Sequence, residues 1–158
     1  MRRISLVTSI VVLWLLAATA EAAPTTPETV EGYLTQLKVK AEKGAPGEFQ
    51  FKLGFPQAPP EQFQVRVLPE VKIVYVAILD VYQVPAGGLL KEAIFRTLAE
   101  LNYKLLVGKV EWEPETGKVR LSYTFAGENS VDFASFKSAI QTLLAEVEQV
   151  RKALKAIK

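Results

Sequence analysis

Apolar and polar positions alternate along two segments near the middle of the chain. Residues 48–55 and 61–68 each carry an apolar side chain at every second position, which is the pattern of an antiparallel strand with one buried face. Residues 71–84 are apolar at both parities, as expected of a central strand that is covered on both sides. Two more apolar segments, around Val110 and Leu121, flank turn residues 113–117 and predict a β-hairpin.

Apolar residues at helical spacing predict three helices around these strands. Thr25 and Glu28 have the spacing of a capping box at the start of the first helix, and Gly44 follows its end. The apolar stripes of the three helices are Val30, Leu34, Leu37 and Ala41; Leu90, Ile94, Leu98 and Leu101; and Phe133, Phe136, Ile140, Leu143, Val147, Val150, Leu154 and Ile157. The order α-β-β-β-α-β-β-α predicts an α+β fold, with an antiparallel five-stranded sheet packed by helices.

The third helix has a very regular apolar pattern. From Phe133 to Ile157 the apolar residues follow alternating steps of three and four, which is a seven-residue repeat. At 1.5 Å per residue this segment is about 37 Å long, more than a five-stranded sheet is expected to cover. Two arrangements are open for its C-terminal half, which contains Val147, Val150 and Leu154. It projects and pairs with another helix, or it lies across the chain's own sheet.

The N-terminus has the three-part pattern of a secretory signal. Arg2 and Arg3 precede a mostly apolar run at residues 4–18, and both Ala18-Thr19-Ala20 and Ala20-Glu21-Ala22 fit a signal-peptidase site. The run is shorter than the roughly 20 residues needed to span a bilayer, so cleavage is expected rather than retention as an anchor. We divide the chain into a signal peptide at 1–22, a linker at 23–28 and one domain at 29–158. The protein is expected in the periplasm or outside the cell, and it meets the membrane only through the signal.

Composition excludes several classes of function. The chain has no Cys and no His, and therefore lacks disulfides and the usual ligands of transition metals. No metal and no other cofactor is expected. A net charge of +2 gives no electrostatic footprint for nucleic acid. Catalysis is not expected, because no imidazole or thiol is present to activate a nucleophile and no known Ser–Lys motif occurs.

Several polar and aromatic positions have both a functional and a structural interpretation. Asp80, in the doubly apolar segment, is either a titrating functional group or a residue at a strand bend that a lysine neutralises, and the second interpretation is favoured. Ser130 or Asp132 is expected to cap the third helix, and Asn102 to end the second helix in a left-handed conformation. Core packing, rather than an aromatic binding patch, is expected of Trp112 and Tyr123.

A set of short motifs between Leu98 and Tyr123 suggests a family. The second helix ends in Leu101-Asn102, the hairpin begins at Gly108-Lys109, and Gly117 lies at its turn. In these features the chain resembles the YbjN family. The resemblance implies a type III secretion chaperone-like fold that is often dimeric and that binds segments of other proteins without doing chemistry. Secretion chaperones proper work in the cytoplasm, and the secretory signal distinguishes this chain from them.

These patterns predict an exported, chaperone-like module that binds a protein or peptide, possibly a second copy of itself. The partner surface is expected where apolar positions exceed what the chain's own fold should cover. The candidate residues are Val74, Val76, Ile78, Val147, Val150 and Leu154. On the central strand the opposite parity (Ile73, Tyr75 and Leu79) is an open alternative, as is coverage of the exposed face by the first helix. The alternative function is carriage of a small apolar ligand or lipid between the sheet and the helices.

Overall fold

The computed structural model describes residues 24–56, 58–85, 91–105, 107–126 and 130–157. The predicted signal peptide at 1–22 and the pair Gly87-Gly88 lie outside the described residues. Within the described part, three α-helices and six β-strands follow one another in the order α-β-β-β-β-α-β-β-α, with one short 3₁₀ turn at Pro69–Val71. The predicted α+β class is confirmed, and so is the predicted order except for one additional short strand.

The first and third helices begin at residues whose side chains cap them. Helix α1 (Pro27–Gln36) has Thr26 as its N-cap, with the hydroxyl accepting a bond from the Thr29 amide, so the predicted cap at Thr25 is one residue too early. Helix α2 spans Lys91–Lys104. Helix α3 (Phe133–Lys155) is capped by Asp132, as one of the two predicted alternatives proposed. Thr25 instead accepts a hydrogen bond from the Val131 amide at 2.8 Å, which ties the start of α1 to the start of α3.

The six strands form one antiparallel sheet. The strands are β1 (Glu42–Lys43), β2 (Glu48–Leu53), β3 (Glu61–Leu68), β4 (Ile73–Gln83), β5 (Lys109–Trp112) and β6 (Lys118–Ala126). Their order across the sheet is β1-β2-β3-β4-β6-β5. Strand β1 was not predicted, because its residues lie between Ala41, the last apolar position of the predicted first helix, and Gly44, where that helix was expected to end. The helix ends earlier since Lys38 takes a left-handed conformation with φ of 58°.

All three helices contribute to one core on a single face of the sheet. This inner face carries Phe63 and Val65 of β3, Val76 of β4 and Leu121 of β6, all of them fully buried. Val30 of α1 and Ile94 of α2 complete the same cluster. The residues of β4 with the opposite parity do not belong to this cluster. The helices of the described residues therefore cover the sheet on one side, whereas the sequence pattern predicted a strand covered on both.

An ion pair holds the C-terminal half of α3 against the sheet. The guanidinium of Arg151 donates two hydrogen bonds to the carboxylate of Glu61, at 2.7 and 2.6 Å, and its Nε donates to the Val81 carbonyl at 3.3 Å. A third carboxylate contact, from Glu148, lies at 2.7 Å. The hydrogen bonds to Glu61 raise the pKa of Arg151 above its ordinary value. Since Arg151 is anchored in this way, α3 lies across its own sheet and does not project.

The bend in β4 occurs at Asp80. This residue has a φ of 51°, and the pairing of β4 with β6 shifts register between Ile78 and Tyr82, which is the geometry of a β-bulge. The exposed carboxylate of Asp80 lies 3.0 Å from the ammonium of Lys118. The structural interpretation of Asp80, a strand bend neutralised by a lysine, is confirmed.

Removing one member of the anchoring ion pair should destabilise the fold. Arg151→Met leaves the Glu61 carboxylate, which is 10% exposed, without its partner, and we expect a loss of about 2–4 kcal/mol in the free energy of unfolding. Glu148→Gln is the matched control, because that carboxylate is 77% exposed and should contribute less than about 1 kcal/mol. Urea denaturation of both variants measures the difference. Equal small losses would show that the pair does not anchor α3.

Candidate functional site

The structure places the predicted partner-binding residues in the core. Val74, Val76 and Ile78 are at most 3% exposed because their parity faces the helices. On α3, Val147, Val150 and Leu154 are equally buried, because the helix lies flat on the sheet. In this structure none of the six is available to a partner, and the surfaces that are available must be sought elsewhere.

The outer face of the sheet carries the alternative parity of β4. Ile73, Tyr75 and Leu79 are half-buried, while Ala77 between them is fully buried. None of these residues belongs to the core beneath the helices. Their cross-strand neighbours are mostly polar, including Arg66 opposite Tyr75 and Ser122 opposite Ala77. An apolar stripe therefore runs down the middle of a polar sheet face, as the sequence suggested for one of the two parities.

Polar side chains partly close this stripe. The Tyr75 hydroxyl donates a hydrogen bond of 2.6 Å to the Glu111 carboxylate. Burial, together with this hydrogen bond, raises the pKa of Tyr75 to about 12. On the same face, at the β2–β3 side of the stripe, the Gln64 amide donates to Glu48 at 2.7 Å. These hydrogen bonds occupy polar side chains that could otherwise bond to a partner. The outer face is therefore a weaker candidate for a partner-binding surface than its apolar stripe alone suggests.

Helix α2 presents a more exposed apolar surface that was not anticipated. Phe95 is 56% exposed, Tyr103 is 90% exposed, and Val107, just after the helix, is 46% exposed. Phe95, Ala99 and Tyr103 are four residues apart, so they share one side of the helix. We call Phe95, Ala99 and Tyr103 the α2 surface. The sequence does contain a signal for this surface. Phe95, Ala99 and Tyr103 form a second apolar spacing on the helix, beside the predicted buried stripe that includes Ile94 and Leu98.

The α2 surface borders strand β5 through an aromatic contact. The rings of Phe95 and Trp112 meet edge to face, with centroids 5.0 Å apart. Trp112 and Tyr123 both pack against the core, which confirms the structural interpretation of these two residues. The indole Nε1 of Trp112 is buried and has no hydrogen-bond acceptor among the residues that the structure describes. The ring of Trp112 thus packs between the core and the exposed ring of Phe95.

Asn102 joins α2 to the edge of the sheet. Its side-chain amide donates to the Val110 carbonyl at 3.1 Å, and its carbonyl accepts from the Val110 amide at 2.6 Å. This pair of bonds imitates that of a neighbouring strand. Asn102 lies inside the helix, so the prediction that it ends α2 in a left-handed conformation is wrong. Its effect is to block the free edge of β5 at Val110.

Steric contacts explain why glycine occurs at the two positions of the hairpin motif. A Cβ on Gly108 would lie 2.5 Å from the Glu146 carboxylate, and burial of that carboxylate raises its pKa. Gly117 has a φ of 74°, and a Cβ there would lie 2.9 Å from the Val84 carbonyl. Gly117 therefore requires glycine, because its φ is positive and the obstacle is backbone, whereas at Gly108 the end of the Glu146 side chain would have to move. Neither position indicates a binding function.

A half-open groove of about 750 Å³ lies between α3 and the end of β6. Tyr123 and Phe125 form one wall, with their rings in edge-to-face contact. Small residues of α3, Ala134 and Ser138, form the other wall, and Val107 stands at the rim. The groove is thus apolar along the strand and lined by small side chains along the helix.

The described residues were also searched for two other features. No group of three or more carboxylates in this part of the chain is placed to hold a metal ion. Among the helices in the same ranges, none combines the length and the apolar content that crossing a bilayer requires.

Comparison with known proteins identifies the fold. No family model and no curated protein matches the sequence. YbjN from E. coli superposes with a TM-score of 0.63 over 85% of this chain and 95% of YbjN, at 10% identity. A chain of the ExsC–ExsE complex gives 0.57 over 80% and 90%, at 19% identity. A chain of the ExoU–SpcU complex from the type III secretion system of Pseudomonas aeruginosa gives 0.54 over 78% and 96%, at 14% identity.

The chain has a YbjN-like fold, shared with type III secretion chaperones. The resemblance inferred from Leu101-Asn102 and Gly108-Lys109 is confirmed at the level of fold. Within this YbjN-like fold, Asn102 and Gly108 connect α2 to strand β5. That connection determines the orientation of the α2 surface relative to the sheet.

Replacing Asn102 should loosen the contact between α2 and β5. Asn102→Ala removes both bonds to Val110, and we expect a loss of about 1–3 kcal/mol in stability. The Val110 amide should also exchange its hydrogen faster, which NMR measures directly. Lys104→Ala, at an exposed position in the last turn of α2, is the control. Unchanged exchange at Val110 would contradict the role assigned to Asn102.

Proposed function

We propose that the chain is an exported, non-enzymatic protein-binding module that forms a homodimer through the α2 surface. The observation that carries this proposal is the exposure of Phe95 and Tyr103 on one side of α2. Large apolar side chains that remain exposed together are typical of protein contact sites. Two of the structures with a similar fold are complexes of two different proteins, which supports a protein-binding role.

The polar groups that could do chemistry have structural partners instead. Asp80 pairs with Lys118 at the bulge, and Asp132 caps α3. Ser122 donates its hydroxyl hydrogen to the Lys109 carbonyl. Since none of these groups is left in a site with an activating base, the proposal assigns the protein no reaction.

The charges of α2 favour a second copy as the partner. Glu92 pairs with Arg96, and Glu100 pairs with Lys104, each four residues apart. The signs therefore alternate along the exposed side of the helix. When two such helices meet antiparallel, the pairs of Glu92 with Lys104 of the other copy and of Arg96 with Glu100 are symmetric about Leu98, one residue from Ala99. A surface that complements itself in this way suits a twofold dimer.

The aromatic residues fit the same arrangement. Phe95 and Tyr103 lie at equal distances on either side of Ala99 along the helix. In an antiparallel pair, Phe95 of one copy would therefore pack on Tyr103 of the other, with the small Ala99 near the axis. Aromatic side chains of this kind contribute much of the binding energy in protein interfaces.

Carriage of a small apolar ligand is less well supported. The space between the sheet and the helices is filled by large buried side chains, among them Phe63, Phe136 and Ile140. The groove beside β6 lies at the surface and is only half enclosed. Mass spectrometry of the purified protein tests this alternative, which requires a lipid that co-purifies in stoichiometric amount.

Replacing Tyr103 should separate the dimer without unfolding the chain. We expect the protein that begins at Ala23 to have a dimeric mass by light scattering. Tyr103→Ser should raise the dissociation constant at least about thirtyfold, with little effect on stability since the side chain is 90% exposed. Val71→Ser, at a residue 56% exposed elsewhere on the molecule, is the matched control and should stay dimeric.

Charge exchange gives an independent check on the orientation of the two helices. Arg96→Glu should weaken the dimer, and the double variant Arg96→Glu, Glu100→Arg should recover it. A monomeric mass for the unmodified protein at all concentrations would contradict the proposed dimer.

Export should remove the N-terminal segment after Ala22. Mass spectrometry and N-terminal sequencing of the protein from the exported fraction should therefore identify Ala23 as the first residue. Ala20→Arg and Ala22→Arg together disrupt both candidate cleavage sites and should yield a longer, membrane-associated form. Recovery of the intact chain from the cytoplasmic fraction would contradict export.

A further inference from the structure

The described chain contacts the rest of the fold within two residues of Pro24. Pro24 itself is exposed, but Thr25, the next residue, is only 8% exposed. The hydroxyl of Thr25 accepts a hydrogen bond of 2.8 Å from the Val131 amide, just before helix α3. Thr25 is therefore already part of the fold, although it precedes the first helix.

Helix α1 makes a second bond to the same position. The Tyr33 hydroxyl donates to the Val131 carbonyl at 2.8 Å, so both backbone groups of Val131 are bonded to side chains from the N-terminal region. The ring of Tyr33 also contacts those of Phe133 and Phe136, with centroids 5.6 Å apart in each case. Polar and aromatic contacts together thus dock α1 onto the start of α3.

Burial of apolar side chains holds α1 in the same place. Val30 is fully buried and Leu34 is 2% exposed, and both belong to the core beneath the sheet. Thr26 caps the helix through the Thr29 amide. Since the chain from Thr25 to Val30 comprises the cap and the first turn of α1, moving Thr25 out of the fold disrupts this turn as well.

The predicted cleavage sites lie close to Thr25. The bond after Ala22 is three residues from Thr25, and the bond after Ala20 is five residues away. Three residues of fully extended chain span at most about 11 Å, which is roughly the diameter of a single α-helix. A protease must enclose the bond that it cuts together with the residues on both sides. No protease domain fits into so short a gap between the bond after Ala22 and the docked helix.

We propose that docking of α1 onto α3 shields the bond between Ala22 and Ala23, so that cleavage of the signal precedes this docking during export. The step is a hydrolysis that consumes one water molecule and leaves a carboxylate on Ala22 and an ammonium on Ala23. A precursor that folds first is cleaved only when the segment around Thr25 opens. This order of events depends on the proposed export, which it extends.

The test uses the full-length precursor, folded in detergent micelles and treated with signal peptidase. In one variant, a spacer of six Gly and Ser residues between Ala23 and Pro24 moves the bond up to about 20 Å further from the fold. We expect this spacer variant to be cleaved at least about tenfold faster than the unmodified precursor. The same six residues added after Lys158 are the control and should leave the rate unchanged.

A variant within α1 tests docking without altering the cleavage site. Tyr33→Phe removes the bond to the Val131 carbonyl and keeps the ring, so α1 is held less firmly in a chain that still folds. Cleavage of the folded precursor should become at least about threefold faster, because its rate follows the population in which the docked segment is open. Thr35→Ala removes an exposed bond to the Glu31 carbonyl in the same helix and, as matched control, should not increase the rate.

The results distinguish failure of this order of events from failure of export. A spacer variant that signal peptidase does not cleave would overturn export, and the proposed order with it. Equal rates for the spacer variant and the unmodified folded precursor would overturn the order alone, since α1 would then not shield the bond. An unchanged rate for Tyr33→Phe would also overturn it, because docking of α1 would not control access to the site.

Discussion

The contact between Arg151 and Glu61 determines which surfaces of the molecule are free. It clamps the far end of α3 to the start of β3, while the bonds between Thr25 and Val131 tie its near end to α1. With α3 held across the sheet at both ends, the helices lie on one face, and the apolar repeat of α3 is used within the chain. The surfaces that the described residues leave for a partner include the outer face and the α2 surface.

These two surfaces differ in how much of their bonding capacity is already used. On the outer face, Tyr75 is bonded to Glu111 and Gln64 to Glu48. At the edge of β5, Asn102 occupies Val110, so that strand cannot accept another at this point. The α2 surface is apolar and exposed, and we therefore propose it as the contact between two copies.

The sequence predicted the elements well, because burial imposes period two on strands and a period near 3.6 on helices. It predicted the bend at Asp80 and the cap at Asp132, which depend on local backbone chemistry. It could not decide which parity of β4 faces the helices, since both are apolar, and Val74, Val76 and Ile78 prove to be core. Nor could it show that α3 lies flat, because that depends on Arg151 meeting Glu61 across 90 positions. Asn102 was misassigned for the same reason, since its partner Val110 belongs to another element.

The central claim is that exported copies of this chain meet through α2. Photo-crosslinking in cells tests it most directly, with a photoreactive phenylalanine analogue at position 103 and, as control, at position 71. The account predicts a covalent dimer from position 103 in the exported fraction, and no such product from position 71. A protein labelled at position 103 that gives no dimer, or gives it only as often as the control, would contradict the account.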